Sequence, residues 1–280
     1  MVYMNICDKN FKDLCKSILE SGNNTLGENV RPKYADGTPS HTYFVNQVFE
    51  KYDLSKGQLP ISTLRQTAWK SGIKEILWIY QDQSNDLDLL RDKYNITWWD
   101  EWDIGDRTIG QRYGATVKKH DLMNKLLKNL KEQPYGRRHI MNLFQESDLT
   151  ETNGLYPCAM ETQWSVRDGF LDMTLIQRSS DVCVANNINK MQYVALMMMV
   201  ARHVGLEVGV FCHYVNNAHI YDRHIEQVKE LLSRDGQEDS DKIRLVLNPD
   251  KTNFYDFTID DFTLENYNPN KPNLKFELAI

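Results

Sequence analysis

Apolar residues recur at helical spacing from Asn10 to Leu19, at Phe11, Leu14, Ile18 and Leu19, with Asn10 as the cap and Gly22 as the stop. A polar loop is predicted over 23–40, around the turn Asp36-Gly37-Thr38-Pro39. Residues 41–54 alternate and predict a strand, and 59–63 a short extended piece. Trp69, Ile73, Ile76, Leu77 and Tyr80 form one stripe, predicting a helix over 64–80. Two shorter helices are predicted over 86–94 and 122–130, the second stopped by Pro134. Residues 160–166 and 170–176 alternate on either side of Asp168-Gly169, the pattern of a hairpin. Residues 188–204 are apolar nearly all the way round and predict a central, buried helix. A strand over 206–214, a helix ending near 233, a strand over 242–248 and short extended pieces within 257–267 complete the pattern. Hairpins and crossovers interleave, so the expected class is α+β: a mixed, twisted sheet layered with helices, in one domain spanning 1–280. There is no linker-like, repetitive or low-complexity tract.

The chemistry concentrates between Leu155 and Tyr193. Cys158 follows a proline, and Arg178, Ser179 and Asp181 end the second hairpin strand. Asn186, Asn187 and Asn189 then open the apolar helix. A hairpin returns the chain to its start, so Cys158 and Arg178 are expected to lie close together. A thiol beside a guanidinium ionises more easily and is a better nucleophile. The plainer reading of a lone cysteine is a small buried hydrophobe; the Pro-Cys step, the returning arginine and the amide cluster favour the nucleophile.

Composition narrows the field. Net charge is −6, which argues against broad attraction to nucleic acid or membrane. The five cysteines are odd in number and have no CxxC spacing, as expected for a reducing compartment without a zinc site. The N-terminus has no apolar signal-like core, and no run approaches a membrane span. A cytoplasmic protein is the expectation.

Other positions carry two readings each. Glu75 borders an apolar stripe, as a boundary residue or as a buried functional carboxylate. Trp98, Trp99 and Trp102 form either a core-edge cluster or a flat wall for an aromatic ligand. The Gly-rich loop 105–114 matches neither phosphate-binding glycine signature. Arg31, in a polar loop, is alone no more than a surface charge. Arg137-Arg138 beside Gly136 are either solvated charge or a phosphate clamp.

In order along the chain come Arg31 with DGTPSHT, Lys74-Glu75-Ile76-Leu77-Trp78, Trp99-Asp100-Glu101-Trp102, Tyr113-Gly114 and Arg137-Arg138. Pro157-Cys158, Gln177-Arg178-Ser179-Ser180-Asp181, Asn189, His219-Ile220-Tyr221 and Ala279-Ile280 follow. In this ordered set the chain resembles the folate-dependent, cysteine-nucleophile thymidylate synthases, essentially end to end. The resemblance implies methylation of dUMP to dTMP. Methylenetetrahydrofolate would be the co-substrate, without metal, flavin or nicotinamide.

It also implies roles. Cys158 matches the nucleophile, Glu75 the buried proton-relay carboxylate and Tyr113 the tyrosine near the C5 proton. Arg31, Arg178 and Ser179 match phosphate ligands, and Arg137 and Arg138 those lent to a partner subunit. A sheet-to-sheet homodimer follows from the last match. Asn189 matches the amide on the uracil edge, and His219 and Tyr221 the pair on the ribose hydroxyl. Asp181 matches a catalytic and pterin-binding carboxylate. Trp99, Leu155, Arg65 and Ile280 match the folate side, Ile280 as a closing flap. The departures are Ala185-Asn186-Asn187-Ile188 before Asn189, Ala159 after the nucleophile, Asn216-Asn217 before the His-x-Tyr motif, and Arg65 where lysine is common. The altered 185–188 loop keeps open a dUMP hydroxymethylase, with water capturing the methylene intermediate. A non-catalytic paralogue binding nucleotide or messenger RNA is the other alternative. The retained Cys158, Glu75, Tyr113, Asn189 and Ile280 argue against the paralogue.

Overall fold

The computed structural model describes residues 5–149 and 154–280. Its helices are α1 (Ile6–Ser21), α2 (Trp69–Tyr80), α3 (Leu87–Tyr94), α4 (Gly114–Lys119), α5 (Leu122–Glu132), α6 (Asn186–Val204) and α7 (Ile225–Ser233). Its strands are β1 (Asn23–Asn24), β2 (Thr42–Asp53), β3 (Ile140–Asn142), β4 (Ala159–Arg167), β5 (Phe170–Asp181), β6 (Glu207–Tyr221), β7 (Arg244–Leu247) and β8 (Phe262–Glu265). Six strands form one sheet in the order β1-β2-β6-β5-β4-β3, and β7 and β8 form a separate ribbon. Within the large sheet β5 and β6 run parallel and the other pairs antiparallel. This is the mixed sheet of an α+β fold.

One sheet face carries the helices. Leu171, Met173, Leu175 and Gln177 of β5 alternate inward, as do Phe211, His213 and Val215 of β6. The helix α6 lies over them with most of its length buried. The opposite face leaves Phe49 and Ile140 exposed.

Three expectations shift. Asn5 rather than Asn10 caps α1, its side chain accepting from the Asp8 amide at 2.7 Å. Asn10 lies inside the helix, donating to the Tyr52 hydroxyl. Residues 64–68 are not helical, because other partners take up their backbone. The Thr67 amide donates to the Tyr267 hydroxyl at 2.9 Å, and Arg234 Nη1 donates to the Leu64 carbonyl at 2.9 Å. The strand β6 runs to Tyr221 rather than stopping at 214, because β2 and β5 both pair with its second half.

Candidate active site

A cleft opens where the C-terminal ends of the parallel pair β5 and β6 meet the first turn of α6. It has two lobes that share Cys158, Asn189, Gln177, Trp102 and Leu155. The polar lobe, of about 460 Å³, is lined by Arg31, Arg178, Ser179, Asp181, His219 and Tyr221. Leu278, Ala279 and Ile280 close one side of it. The apolar lobe, of about 270 Å³, is walled by Trp98, Trp99, Trp102, Tyr113, Ile76 and Ile79, with Glu75 among them. Few polar groups converging in an apolar cleft is the usual form of a small-molecule site.

The hairpin closes as its alternation requires. The Arg178 amide donates to the Cys158 carbonyl at 3.0 Å. The Arg178 guanidinium is fixed by donating to the carbonyls of Pro157 at 3.1 Å and Tyr156 at 2.8 Å. Burial raises the pKa of Cys158, while Arg178 and Arg31 pull it down. The arginine acts in the expected direction, but burial outweighs it and the net shift is upward. That corrects the expectation of a thiol made easier to ionise: an apolar wall penalises the thiolate more than two guanidinium groups favour it.

Tyr113 approaches the nucleophile from the other wall. Its hydroxyl accepts the Cys158 backbone N–H at 3.0 Å. Its ring meets Trp99 edge to face at 5.2 Å. To reach this position Tyr113 adopts φ 48° and ψ −112° at the start of α4, a costly conformation for a bulky residue and one that accumulates at functional sites. Gly114 follows because any Cβ there would lie 2.1 Å from the Ser84 carbonyl.

Glu75 is buried on α2, and Trp98 Nε1 donates to its Oε2 at 2.6 Å. Burial pushes its carboxyl up to about 7, against the donors around it. Such a group exchanges protons near neutrality, as a general acid–base needs. The shift has a stability cost. Between the unfolded value near 4.5 and the folded value near 7 the unfolded chain holds fewer protons, so stability falls as pH rises through this window and then levels off. Glu75→Gln is therefore expected to stabilise the protein by on the order of 3 kcal/mol at pH 8 and hardly at all at pH 4. Thermal melts at the two pH values check this; equal shifts at both would count against it.

Asn189 bridges the lobes. Its Oδ1 accepts from Gln177 Nε2 at 3.2 Å and its Nδ2 donates to Gln192 Oε1 at 2.7 Å. One acceptor site and one donor hydrogen remain for a ligand. The variant loop is built into the interior. Asn186 Nδ2 donates to Ser180 Oγ at 3.3 Å, and Cys7 Sγ donates weakly to Asn187 Oδ1. Asp181 Oδ1 accepts from the amides of Cys183 and Val184, which bends β5 into α6. Burial lowers the pKa of His219, whose Nδ1 lies 3.1 Å from Asn217 Oδ1.

Not every expected residue enters the cleft. Arg65 donates to the carbonyls of Cys183 and Leu274 and lies over the Phe276 ring, 4.6 Å from its centroid. Arg137 and Arg138 are exposed beside Tyr135 and Gly136, outside both lobes. Among the described residues no helix is long and apolar enough to cross a membrane.

Residues 9–280 match the family profile described as "Thymidylate synthase". A Streptococcus sanguinis protein named thymidylate synthase is 53% identical over 284 residues, covering 99% of this chain and all of that one. The chain belongs to the thymidylate synthase family. A Streptococcus pneumoniae thymidylate synthase is likewise 53% identical over 283 residues, and covers 99% of this chain. The thermostable thymidylate synthase A of Bacillus subtilis superposes with a TM-score of 0.90 at 37% identity, covering 98% of this chain and 99% of its own. Within this thymidylate synthase fold, Gln192 is a cleft residue that the sequence did not single out, and Trp98 and Gln177, visible there only within a tryptophan cluster and a motif, gain specific partners. Trp98 reaches Glu75 from 23 positions away and Gln177 reaches Asn189 from 12, whereas Gln192 lies three residues along α6 from Asn189. Only the strand alternation at Gln177, a polar residue in an inward position, hinted at one of them.

Proposed function

We propose that the chain catalyses reductive methylation of dUMP to dTMP, with methylenetetrahydrofolate as one-carbon and hydride donor and dihydrofolate as co-product. The supporting observation is that one thiol, Cys158, sits where a cationic, hydroxyl-bearing lobe meets an aromatic one. The first suits a nucleotide monophosphate, the second a flat pterin.

In this reading Arg31, Arg178 and Ser179 hold the phosphate, and His219 and Tyr221 the ribose hydroxyl. Asn189 gives its free Nδ2 hydrogen to O4 of uracil and takes the N3 hydrogen on Oδ1. Cys158 Sγ, once deprotonated, adds to C6. The π electrons move through C5 onto O4, where Asn189 donates, and C5 becomes a nucleophilic carbon. C5 bonds to the methylene carbon of methylenetetrahydrofolate as one of that carbon's two bonds to folate nitrogen breaks, and the folate later gives the hydride. Glu75 and Tyr113 stand on the side from which the C5 proton must leave, Glu75 with a pKa near 7. Loss of that proton expels the folate nitrogen from the new methylene group; hydride from the tetrahydrofolate then reduces that group, leaving dihydrofolate, and the electron pair returned to the ring breaks the C6–S bond and regenerates the thiolate. Trp99 and Leu155 flank the pterin and Asp181 accepts from it. Ile280 is anchored by two backbone hydrogen bonds to Lys33, of 2.7 and 2.9 Å, and closes the cleft against water. Arg65, from its position against Cys183, supports the folate side.

The enzyme acts as a single catalytic domain within a homodimer. Exposed Phe49, Tyr135 and Ile140 on and beside the open sheet face favour a sheet-to-sheet contact. The partner's Arg137 and the partner's Arg138 complete the phosphate clamp. A cytoplasmic location suits five free thiols.

Product analysis tests the proposal. Purified protein with dUMP and methylenetetrahydrofolate is expected to yield thymidylate and dihydrofolate in equal amounts, by mass spectrometry and absorbance. Hydroxymethyl-dUMP with tetrahydrofolate would make it a hydroxymethylase. Tight dUMP binding without product would make it a non-catalytic binder.

A further inference from the structure

Beneath Asn189 lies a buried polar chain that the mechanism above does not use. Gln177, which donates to Asn189 Oδ1, takes its own hydrogen bond on Oε1 from His213 Nε2 at 2.5 Å. His213 is fully buried on β6, and its Nδ1 has no hydrogen-bond partner. That Nδ1 faces Glu50 Oε2 at 3.8 Å, across the β2–β6 pair in which Glu50 and His213 are directly opposite. The same Glu50 oxygen is already engaged by Lys190 Nζ and by the Tyr52 hydroxyl, each at 2.9 Å. Lys190 is fully buried and adjoins Asn189 on α6.

The chain has a direction. An amide presents a donor on one side and an acceptor on the other, so Gln177 can turn either way unless its neighbours decide. A proton on His213 Nε2 requires the Gln177 oxygen on that side. The Gln177 NH2 then points at Asn189 and requires the Asn189 oxygen there. Glu50 is the group that could draw the imidazole proton to Nδ1 instead. Lys190 and Tyr52 already engage the oxygen nearest that nitrogen, and at 3.8 Å it lies beyond hydrogen-bond distance, whereas Nε2 is within hydrogen-bond distance of Gln177 Oε1, so the proton is left on Nε2. Burial disfavours a second proton on the ring and outweighs the pull of Glu50 toward one, with the Lys190 charge acting in the same direction as burial.

We propose that His213, held in its Nε2–H form by the Glu50–Lys190 pair, is a positioning residue that fixes the donor–acceptor order of Asn189 and thereby selects uracil over cytosine. This rests on the reading of Asn189 as the ligand of the pyrimidine edge. Uracil offers a donor at N3 and an acceptor at position 4, and cytosine offers the reverse. A reversed Asn189 would match cytosine. His213 touches no substrate; it acts only through Gln177.

The test measures dissociation constants for dUMP and dCMP, and kcat and KM for dUMP, in the full-length protein and three variants. His213→Phe keeps the ring and removes the donor. His213→Asn shortens the side chain so that its NH2 falls short of Gln177. His213→Gln restores an NH2 near the Nε2 position. The first two are expected to weaken dUMP about tenfold while dCMP is unchanged or tighter, lowering the dUMP preference at least tenfold, mostly in KM. The glutamine variant keeps the preference within about threefold of the parent. General loosening of the core would weaken both nucleotides alike, so an unchanged preference in a folded phenylalanine or asparagine variant overturns the proposal. If neither folds, 15N NMR of the parent decides: an unprotonated Nδ1 on His213 supports it, and a protonated Nδ1 with a bare Nε2 overturns it. Failure of the parent itself to bind dUMP would instead overturn the functional reading.

Discussion

Cys158→Ala is expected to lower methylation of dUMP by at least about 10⁴-fold while leaving dUMP affinity within about threefold. The asymmetry comes from how the cleft is built. Arg31, Arg178 and Ser179, proposed to hold the phosphate, line the polar lobe, and Arg178 is oriented by the Tyr156 and Pro157 carbonyls rather than by the thiol. Removing Sγ therefore leaves the anion site standing. It takes away the thiol that the proposed mechanism adds to C6, and without that addition C5 does not become nucleophilic. Isothermal titration with dUMP and a single-turnover assay separate the two quantities. A variant retaining more than about a hundredth of the parent turnover would sink covalent catalysis. One that lost dUMP affinity a hundredfold would mean that the thiol, not the arginines, organises the nucleotide site.

Lys190→Met is expected to destabilise the fold by about 3–5 kcal/mol, leaving Glu50 charged, buried and without its cation. At roughly 2–3 °C per kcal/mol for a chain of this size, the melting point falls by about 6–15 °C. Burial pushes the Glu50 carboxyl up, but the Lys190 charge leads the causes that more than offset this and hold it well below the usual carboxylate range. A depressed carboxylate contributes stability above its unfolded pKa and loses it as pH falls through the folded value. The difference between parent and variant is therefore expected to be largest at neutral pH and to shrink below about pH 4. Adding Glu50→Gln to Lys190→Met removes the stranded charge, keeps an acceptor for the Tyr52 hydroxyl, and is expected to recover more than half of the loss. Denaturant melts of the single and double variants check this. Simple additivity of the two substitutions would show that the pair is not coupled.

Elements with a strong local period were the legible ones. The hairpin of β4 and β5 declared itself through alternation around Asp168-Gly169, and α6 through apolar residues on every side. Helix starts were less legible. Asn5 and Asn10 are equally good caps in sequence, and the choice is made by the tertiary partner, the Tyr52 hydroxyl, that takes Asn10. The end of β6 is hidden because Asn216 and Asn217 break the apolar alternation, while pairing of Val215 and Asn217 with both β2 and β5 carries the strand through them. In the cleft, chemistry-bearing residues such as Cys158, Glu75 and Asn189 could be picked out by type and by resemblance. The residues that orient them could not. Gln177 and His213 are 36 positions apart, Glu50 and Lys190 140 apart. An inward-facing histidine on an apolar strand looks like ordinary core until its partners are known.

The Lys33–Ile280 backbone pair places the last residue of the chain on the same short segment as Arg31, with only Pro32 between Arg31 and Lys33. In the proposed reading, a phosphate that settles Arg31 also settles the segment 278–280, whose Leu278 lines both lobes. In thermodynamic language the two ligand sites share a free energy of coupling. Whatever factor bound nucleotide adds to the affinity for folate, bound folate must return to the nucleotide. Cooperativity between two different ligands is thus available within a single chain, through one two-residue ladder.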